Sequence, residues 1–304
     1  MTHDLAALNK QAIAKAQQYM GDTAWITVAL TLFVVTAYVA HIAAFASGLV
    51  PMWLAVLIMA VLTYTAYTPL HEAAHGNING RNDQFSWLNK LCGYAVAPLI
   101  SIPYASHRLE HFTHHRYTNQ PDKDPDFVIK GLGDGFLKGT LTVLKFLWIQ
   151  NAFFVINNWQ SSTLKERVIY CMELSFSIGW RVAFIALCDI EGTVLVVVGG
   201  YFLGGFFTGY WFAYRPHLPY QNEKRYQNTN SLIMPFWMKP IEWFWLGQNL
   251  HSIHHLFPRV PFYRYHKLHQ EIEPILRAHG TPIVDVFSRQ PIEQREQKPE
   301  PLNP

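Results

Sequence analysis

Charged side chains are scarce in this chain. Lys, Arg, Asp and Glu make up 15% of the 304 residues, against roughly 25% in an average soluble domain, while half of the residues are hydrophobic. That ratio excludes an ordinary charge-coated soluble enzyme and is the composition of a membrane protein. Cysteine is nearly absent as well. Cys92, Cys171 and Cys188 are too far apart for a CxxC site, a disulfide framework or an iron–sulfur cluster, and they read as buried thiols. There is no glycine-rich dinucleotide fingerprint, no flavin motif and no nucleic-acid motif. Any electrons the chain consumes must therefore come from a separate donor, ferredoxin-like or cytochrome-like. The net charge of +3 suits anionic lipid better than nucleic acid.

The apolar residues fall in runs. Residues 24–46, 49–69, 168–188 and 192–214 are each long enough to cross a hydrocarbon core as a helix, which takes roughly 20 residues. Ser47 and Gly48 separate the first two runs, and Asp189, Ile190 and Glu191 the last two, so the expectation is an all-α membrane protein with four transmembrane helices in two hairpins. All long polar segments then share one side. Of the 24 Lys and Arg, neither turn holds any and Arg181 lies inside the third run. The bias of the rest puts those segments and both termini in the cytoplasm, with the bacterial inner membrane as the expected location. Met1 to Asp22 is too polar for a signal peptide. Residues 87–106, broken by Pro98 and Pro103, read as a re-entrant or interfacial segment, and 136–156, with Lys138 and Lys145 inside, as an amphipathic surface helix. Residues 1–290 are expected to form one integral-membrane domain, and 291–304, rich in Pro, Glu and Gln, a disordered tail.

Histidine is what the chain has in excess. His71 and His75 stand four apart at the polar end of the second run, a spacing that sets both rings on one helix face. His111, His114 and His115 follow the form H-x-x-H-H, and His251, His254 and His255 repeat it. Neutral imidazole suits iron, copper, zinc and nickel alike, but eight rings are too many for one ion and imply a paired transition-metal centre. The string His71-Glu72-Ala-Ala-His75 also matches the H-E-x-x-H zinc protease pattern, leaving an intramembrane zinc protease as a remote alternative. Such a site needs only three protein ligands, so the surplus argues against it. His217, just beyond the fourth run, is a candidate ninth ligand. His107 suits a supporting or packing role, His41 a satisfied place in the bundle, and His266 and His269 the surface. Metal-bound imidazoles pass their second N–H to a carboxylate or carbonyl. Glu72, Asp124, Asp126 and Asn249 are the candidates for that part, with Glu110 and Gln248 nearby and Asp122 as ordinary loop polarity.

With its three histidine clusters read as boxes, His71-Glu-Ala-Ala-His75, His111-Phe-Thr-His114-His115 and His251-Ser-Ile-His254-His255, the sequence resembles the membrane fatty acid desaturase superfamily. The run from Gly247 to Pro258, with Tyr214-Arg-Pro-His217 upstream and the Asn-x-Pro-x-x-Asp-Pro-Asp run ending at Asp126, is most similar to β-carotene hydroxylases of the cyanobacterial type. Those hydroxylases commonly carry Asp beside the first histidine, where this chain has Glu72. The resemblance implies two non-haem irons held by the eight box histidines and His217, O2 as cosubstrate, and four transmembrane helices under a cytoplasmic helical cap. It further implies attack on C–H bonds of a long lipid drawn from the bilayer. Carotenoid ring hydroxylation is the expected reaction, with fatty acyl desaturation or hydroxylation as the alternative.

Overall fold

Every long helix of the protein owes its length to an apolar run, and its position to the narrow stripe of small or polar residues within that run. The computed structural model describes residues 4–188, 190–287 and 292. Asp189 of the second expected turn and, apart from Ile292, the expected tail lie outside the described residues.

α1 (Leu5–Gln17) starts at Asp4, whose carboxylate accepts from the amides of Ala6 and Ala7, a common way to satisfy the free N–H groups of a first turn. α2 (Trp25–Ala46) buries only Thr27, Thr31, Val34, Tyr38 and His41. This stripe steps by three and four residues, while Leu32, Phe33 and Val39 face outward. His41 is satisfied within the bundle by the Ala55 carbonyl at 3.0 Å. α3 (Met52–His75) is the central element: 56% of its apolar window is buried, against 22–33% in the other long helices. It runs through the first histidine pair, six residues beyond the expected end at 69, because Leu70, Ala73 and Ala74 continue its buried face. Gly76, at φ 66°, then stops it in the left-handed conformation that glycine adopts without strain.

α4 (Trp87–Ile100) spans ~21 Å at 1.5 Å per residue, short of the ~30 Å hydrocarbon core, and packs on α2 and α3. α5 (Tyr104–Tyr117) carries the second box. α6 (Phe136–Asn157), α7 (Leu164–Leu187) and the helical run α8 (Ile190–His217) follow. Among the described residues five helices, α2, α3, α6, α7 and α8, are thus long and apolar enough to cross a membrane, one more than the four expected. The additional one is α6, whose partners are unlike those of the others. Gln150 donates to Asp126 (3.2 Å), the Gln150 carbonyl accepts from Ser106 (2.8 Å) and the Asn151 carbonyl from Tyr170 (2.7 Å). α6 thus lies beside α5 and the helical turns of Pro125–Asp134.

α8 reaches α3 through glycine. A Cβ on Gly200 would stand 2.6 Å from Met59 Cβ, and one on Gly204 2.5 Å from the Ala60 carbonyl oxygen, so only a bare backbone permits this approach. Two π-helical stretches, Leu195–Gly200 and Gly209–Tyr214, shift the phase of α8, the second just before His217. α9 (His251–Leu256) carries the third box and α10 (Tyr265–Ala278) packs against α1 in one apolar cluster.

Three expectations need correction. The chain is mostly but not wholly helical: β1 (Ser231–Ile233) pairs in parallel with β2 (Ile283–Asp285), Ser231 opposite Ile283, and ties the segment before the third box to the segment after α10. Of the cysteines only Cys92 is buried; Cys171 is exposed and Cys188 partly so, because α7 packs by one side alone. His269 is not a surface residue. It is buried on α10, and its Nε2 meets Ser231 Oγ at 3.0 Å, which in turn meets Ser252 Oγ at 2.6 Å.

Candidate metal centre

The ends of α3, α5, α8 and α9 converge, and the histidines they carry meet there. His71 and His75 come from the last turn of α3, His111, His114 and His115 from the second half of α5, His217 from the end of α8 and the third box from α9. Eight of the nine predicted histidines fall into two groups. One holds His71, His75, His111, His115 and His254, the other His114, His217 and His255, and in each group the ligand atoms lie within 4.8 Å of one another. His251 stands beside the boundary, its ring 5.1 Å from His217 and 4.8 Å from His255, but outside both groups.

Protons alone cannot satisfy this geometry. Nε2 of His254 is 2.9 Å from that of His71 and 2.8 Å from that of His115; His115 is 3.1 Å from His111, which is 2.9 Å from His75. A neutral ring nitrogen carries one hydrogen or one lone pair, so it cannot serve two such neighbours at once. Adjacent imidazoles on one cation at ~2.1 Å would instead sit ~3 Å apart, which is the spacing found. In the smaller group His114 Nε2 is 3.3 Å from His255 Nε2. His217 is buried, and neither of its ring nitrogens is hydrogen-bonded among the described residues. Buried polar atoms rarely go unpaired, and an orphaned imidazole among other imidazoles fits a cation site.

Electrostatics separates one ring from the rest. Burial, reinforced by the neighbouring imidazoles, holds His111, His115, His254 and His255 well below the usual histidine range and brings His251 down to about 3. These rings are neutral with free lone pairs at physiological pH. For His114 burial also acts downward, but Asp124 and Asp126 outweigh it and lift the ring to about 9. Nδ1 of His114 meets Asp124 Oδ1 at 2.8 Å, and Asp124 is itself fixed by the amides of Asn119 (2.8 Å) and Asp126 (2.9 Å). Asp126 stands farther off, at 3.8 Å. Glu110, fully buried, is pushed well above the carboxylate range by burial and by Asp126.

Two of the four proposed supports are engaged elsewhere. Glu72 accepts from Thr27 (2.8 Å), Asn77 (3.0 Å) and the Phe262 amide (3.0 Å) and contacts no box histidine, because its place on α3 faces α2 and the chain before α10. A general base with three committed donors does not fit the protease pattern. Asn249 donates to the Leu232 carbonyl (3.1 Å) and Glu242 (3.0 Å). Sequence reasoning missed Tyr265, whose hydroxyl meets His254 Nδ1 at 3.2 Å, and Gln150, which meets His107 Nδ1 at 3.2 Å; no local pattern marks either. The His107 ring also stacks on His111, centroids 5.3 Å apart.

An apolar cleft of about 30 Å³ between α3, α6 and α8 is lined by Thr63, Tyr67, Leu147, Gly205, Gly209 and Phe212. The Tyr67 ring lies 5.7 Å from His71. The cleft has room for a water or two, so a larger occupant must open it.

Two adjoining sets of imidazole donors at one end of a helical bundle rich in apolar helices make up a histidine-box architecture with room for two cations. The family model described as Fatty acid desaturase matches residues 47–287, a span that includes every histidine of both groups. The chain belongs to that family, which is generally di-iron. Among its relatives, dihydrorhizobitoxine desaturase of Bradyrhizobium elkanii is 28% identical over 70% of this chain and 65% of its own. Fatty acid desaturase 3 of Bos taurus is 24% identical over 77% of this chain and 57% of its own. The sn-1 oleoyl-lipid 12-desaturase of a Picosynechococcus strain is 26% identical over 79% and 60%. The matches therefore cover less than two thirds of these relatives' own lengths.

Proposed function

We propose that this chain is an O2-dependent di-iron enzyme that removes hydrogen from the acyl chain of a lipid, introducing a double bond. The observation that carries the reading is the gathering of eight histidine nitrogens into a group of five and a group of three at one end of a membrane bundle. In this reading His71, His75, His111, His115 and His254 hold one iron, His114, His217 and His255 the other, and His251 at the boundary completes the set of nine. When bound, the irons supply the activation of O2 and the hydrogen abstraction that no side chain can perform. The protein's own residues set up the site. Asp124 keeps the proton of His114 on Nδ1, which frees Nε2, and Tyr265 does the same for His254 by accepting from Nδ1. Tyr67 and Phe212 part the site from the cleft and exclude water until a chain enters.

Acyl desaturation leads because the relatives named above are desaturases, two of them of fatty acids or an oleoyl lipid by name. Carotenoid ring hydroxylation, expected from the run Gly247 to Pro258, has no support from them. The partner contacts of α6 favour four spans with α6 lying along the surface, in one integral-membrane domain, and the distribution of Lys and Arg favours a cytoplasmic histidine end. Expression in a host that makes β-carotene, with acyl chains and pigments both profiled, tests the substrate. A new double bond in fatty acyl chains is expected, and hydroxylated carotenoid with unchanged acyl chains would overturn it. Metal analysis should find two irons per chain; one zinc and no iron would sink the oxidoreductase mechanism.

A further inference from the structure

We propose that the open groove over His115 and His255 is the docking site of a small acidic one-electron carrier protein, an inference that rests on the oxidoreductase reading above. His71, His111, His114, His217, His251 and His254 are buried, so the centre is sealed over most of its extent. His75, His115 and His255 are partly exposed, but of these three it is His115 and His255 that form part of the groove wall, with Arg116, Gln120, Glu223 and Arg225 around them. Their rings stack with centroids 4.2 Å apart and planes 17° from parallel. His115 belongs to the group of five and His255 to the group of three. The stacked pair is therefore the place where both halves of the centre reach solvent together. Electron transfer weakens steeply with distance, and here a docked carrier would touch one member of each group directly, His115 and His255.

The rim is matched to an acidic partner. Arg116 is exposed and has no hydrogen-bond or ion-pair partner among the described residues. Arg225 is held as a fixed charge by Asn9 (3.3 Å), by the Leu256 carbonyl (3.1 Å) and against the rings of Tyr226 and Phe257. Lys224 and Arg259, both exposed, neighbour the wall residues in the chain, and Glu223 is the one acidic side chain on the wall. A basic rim of this kind steers an acidic protein and fixes its register. The lipid cleft opens elsewhere, between α3, α6 and α8, so carrier and substrate need not compete. Each turnover takes two successive carriers. They are oxidised by one electron each, and with O2 and two solvent protons these electrons turn a saturated CH2–CH2 pair into CH=CH and two waters.

The test uses the iron-loaded enzyme in phosphatidylcholine nanodiscs, which carry no net lipid charge, and an oxidised acidic [2Fe–2S] ferredoxin as the probe. Its Kd is measured at low and at physiological salt. Arg116→Glu is expected to weaken binding about five- to tenfold at low salt, Glu223→Lys to tighten it by a similar factor, and Lys165→Glu, outside the groove, to leave it unchanged; salt should shrink the differences. Absent ferredoxin binding, an Arg116→Glu effect within about twofold, or weakening by Glu223→Lys overturns the groove. Failure of the oxidoreductase reading is distinguishable, since it appears as missing iron and missing product, which are measured separately from Kd.

Discussion

Asp124→Asn is expected to empty the three-histidine site while sparing the other, so that purified protein carries about one iron per chain instead of two. The carboxylate has three tasks: it takes the Nδ1 proton of His114 at 2.8 Å and anchors the amides of Asn119 and Asp126. Asn is neutral and turns an N–H toward one of those donors. Losing such a support from a metal-bound histidine costs roughly 10- to 100-fold in affinity, about 1.4–2.7 kcal/mol. A pH signature separates this from a general loss of packing. Without metal, His114 is raised from 6.5 to about 9, so its folded value lies above its unfolded one. Its protonated form adds ~3 kcal/mol of stability, fully present below pH 6.5 and lost as pH rises through about 9. Iron bound there would have to displace that proton, so wild-type affinity at this site should climb with pH, by up to about tenfold per unit between pH 6.5 and 8. In Asp124→Asn the proton leaves nearer the ordinary value and the climb flattens. Anaerobic ferrous titrations across that range, with metal content by plasma emission and exposed Asp122→Asn as control, provide the assay. Two irons per chain and an unchanged slope would refute the reasoning.

Three further outcomes follow from single contacts. Tyr265→Phe keeps a fully buried ring but loses the 3.2 Å contact to His254; a neutral hydrogen bond is worth about 1 kcal/mol, so iron affinity at the five-histidine site should fall about fivefold in the same titration, with the melting temperature of the metal-free protein little changed. His217→Ala should leave about one iron per chain and no product, whereas His41→Ala, remote from both groups, should leave iron at the wild-type level. Gly204→Ala forces a Cβ to 2.5 Å from the Ala60 oxygen and should destabilise the α3–α8 contact by about 1–3 kcal/mol, read by thermal unfolding in detergent, while Gly205→Ala, which meets nothing within 4 Å, should be silent.

What the sequence disclosed and what it hid divide along the range of the interactions. Hydropathy is local, so α2, α7 and α8 could be read to within a few residues, and i,i+3 and i,i+4 spacing is local too, so the pairing of rings within each box was legible. The end of α3 was placed six residues early because its last turn swaps apolar residues for histidines while keeping its buried face, and a hydropathy run cannot see a polar buried face. Contacts between distant segments left no trace. Tyr265 follows His254 after two prolines and a change of element, and nothing nearby marks its hydroxyl for that ring. Glu72 shows the reverse: it is adjacent to a box histidine in sequence, yet its side chain leaves α3 on the face toward Thr27 and Phe262. Adjacency on a helix places neighbours about 100° apart, so a carboxylate one residue from a ligand is a poor candidate to support it. Asp124, ten residues from His114 but brought back by the turn at Pro125, is a good one.

The two histidine groups also differ in how they offset the charge of a cation. Behind the group of three stand Asp124 and Asp126, and next to Asp126 the buried Glu110. Around the group of five the contacts are neutral: the Tyr265 hydroxyl on His254 and the Tyr67 ring near His71, while Glu72 is held away by its own three donors. A cation removed from water must be compensated either by many donor dipoles or by a nearby counter-charge. Five neutral rings would supply the first and three rings with a carboxylate one imidazole away the second, so under the proposed division the unequal histidine counts balance. Because the two sites rely on different terms, a change at Asp124 removes the counter-charge from one and leaves the donor count of the other intact, and for this reason the loss of iron on replacing Asp124 should stop near one per chain.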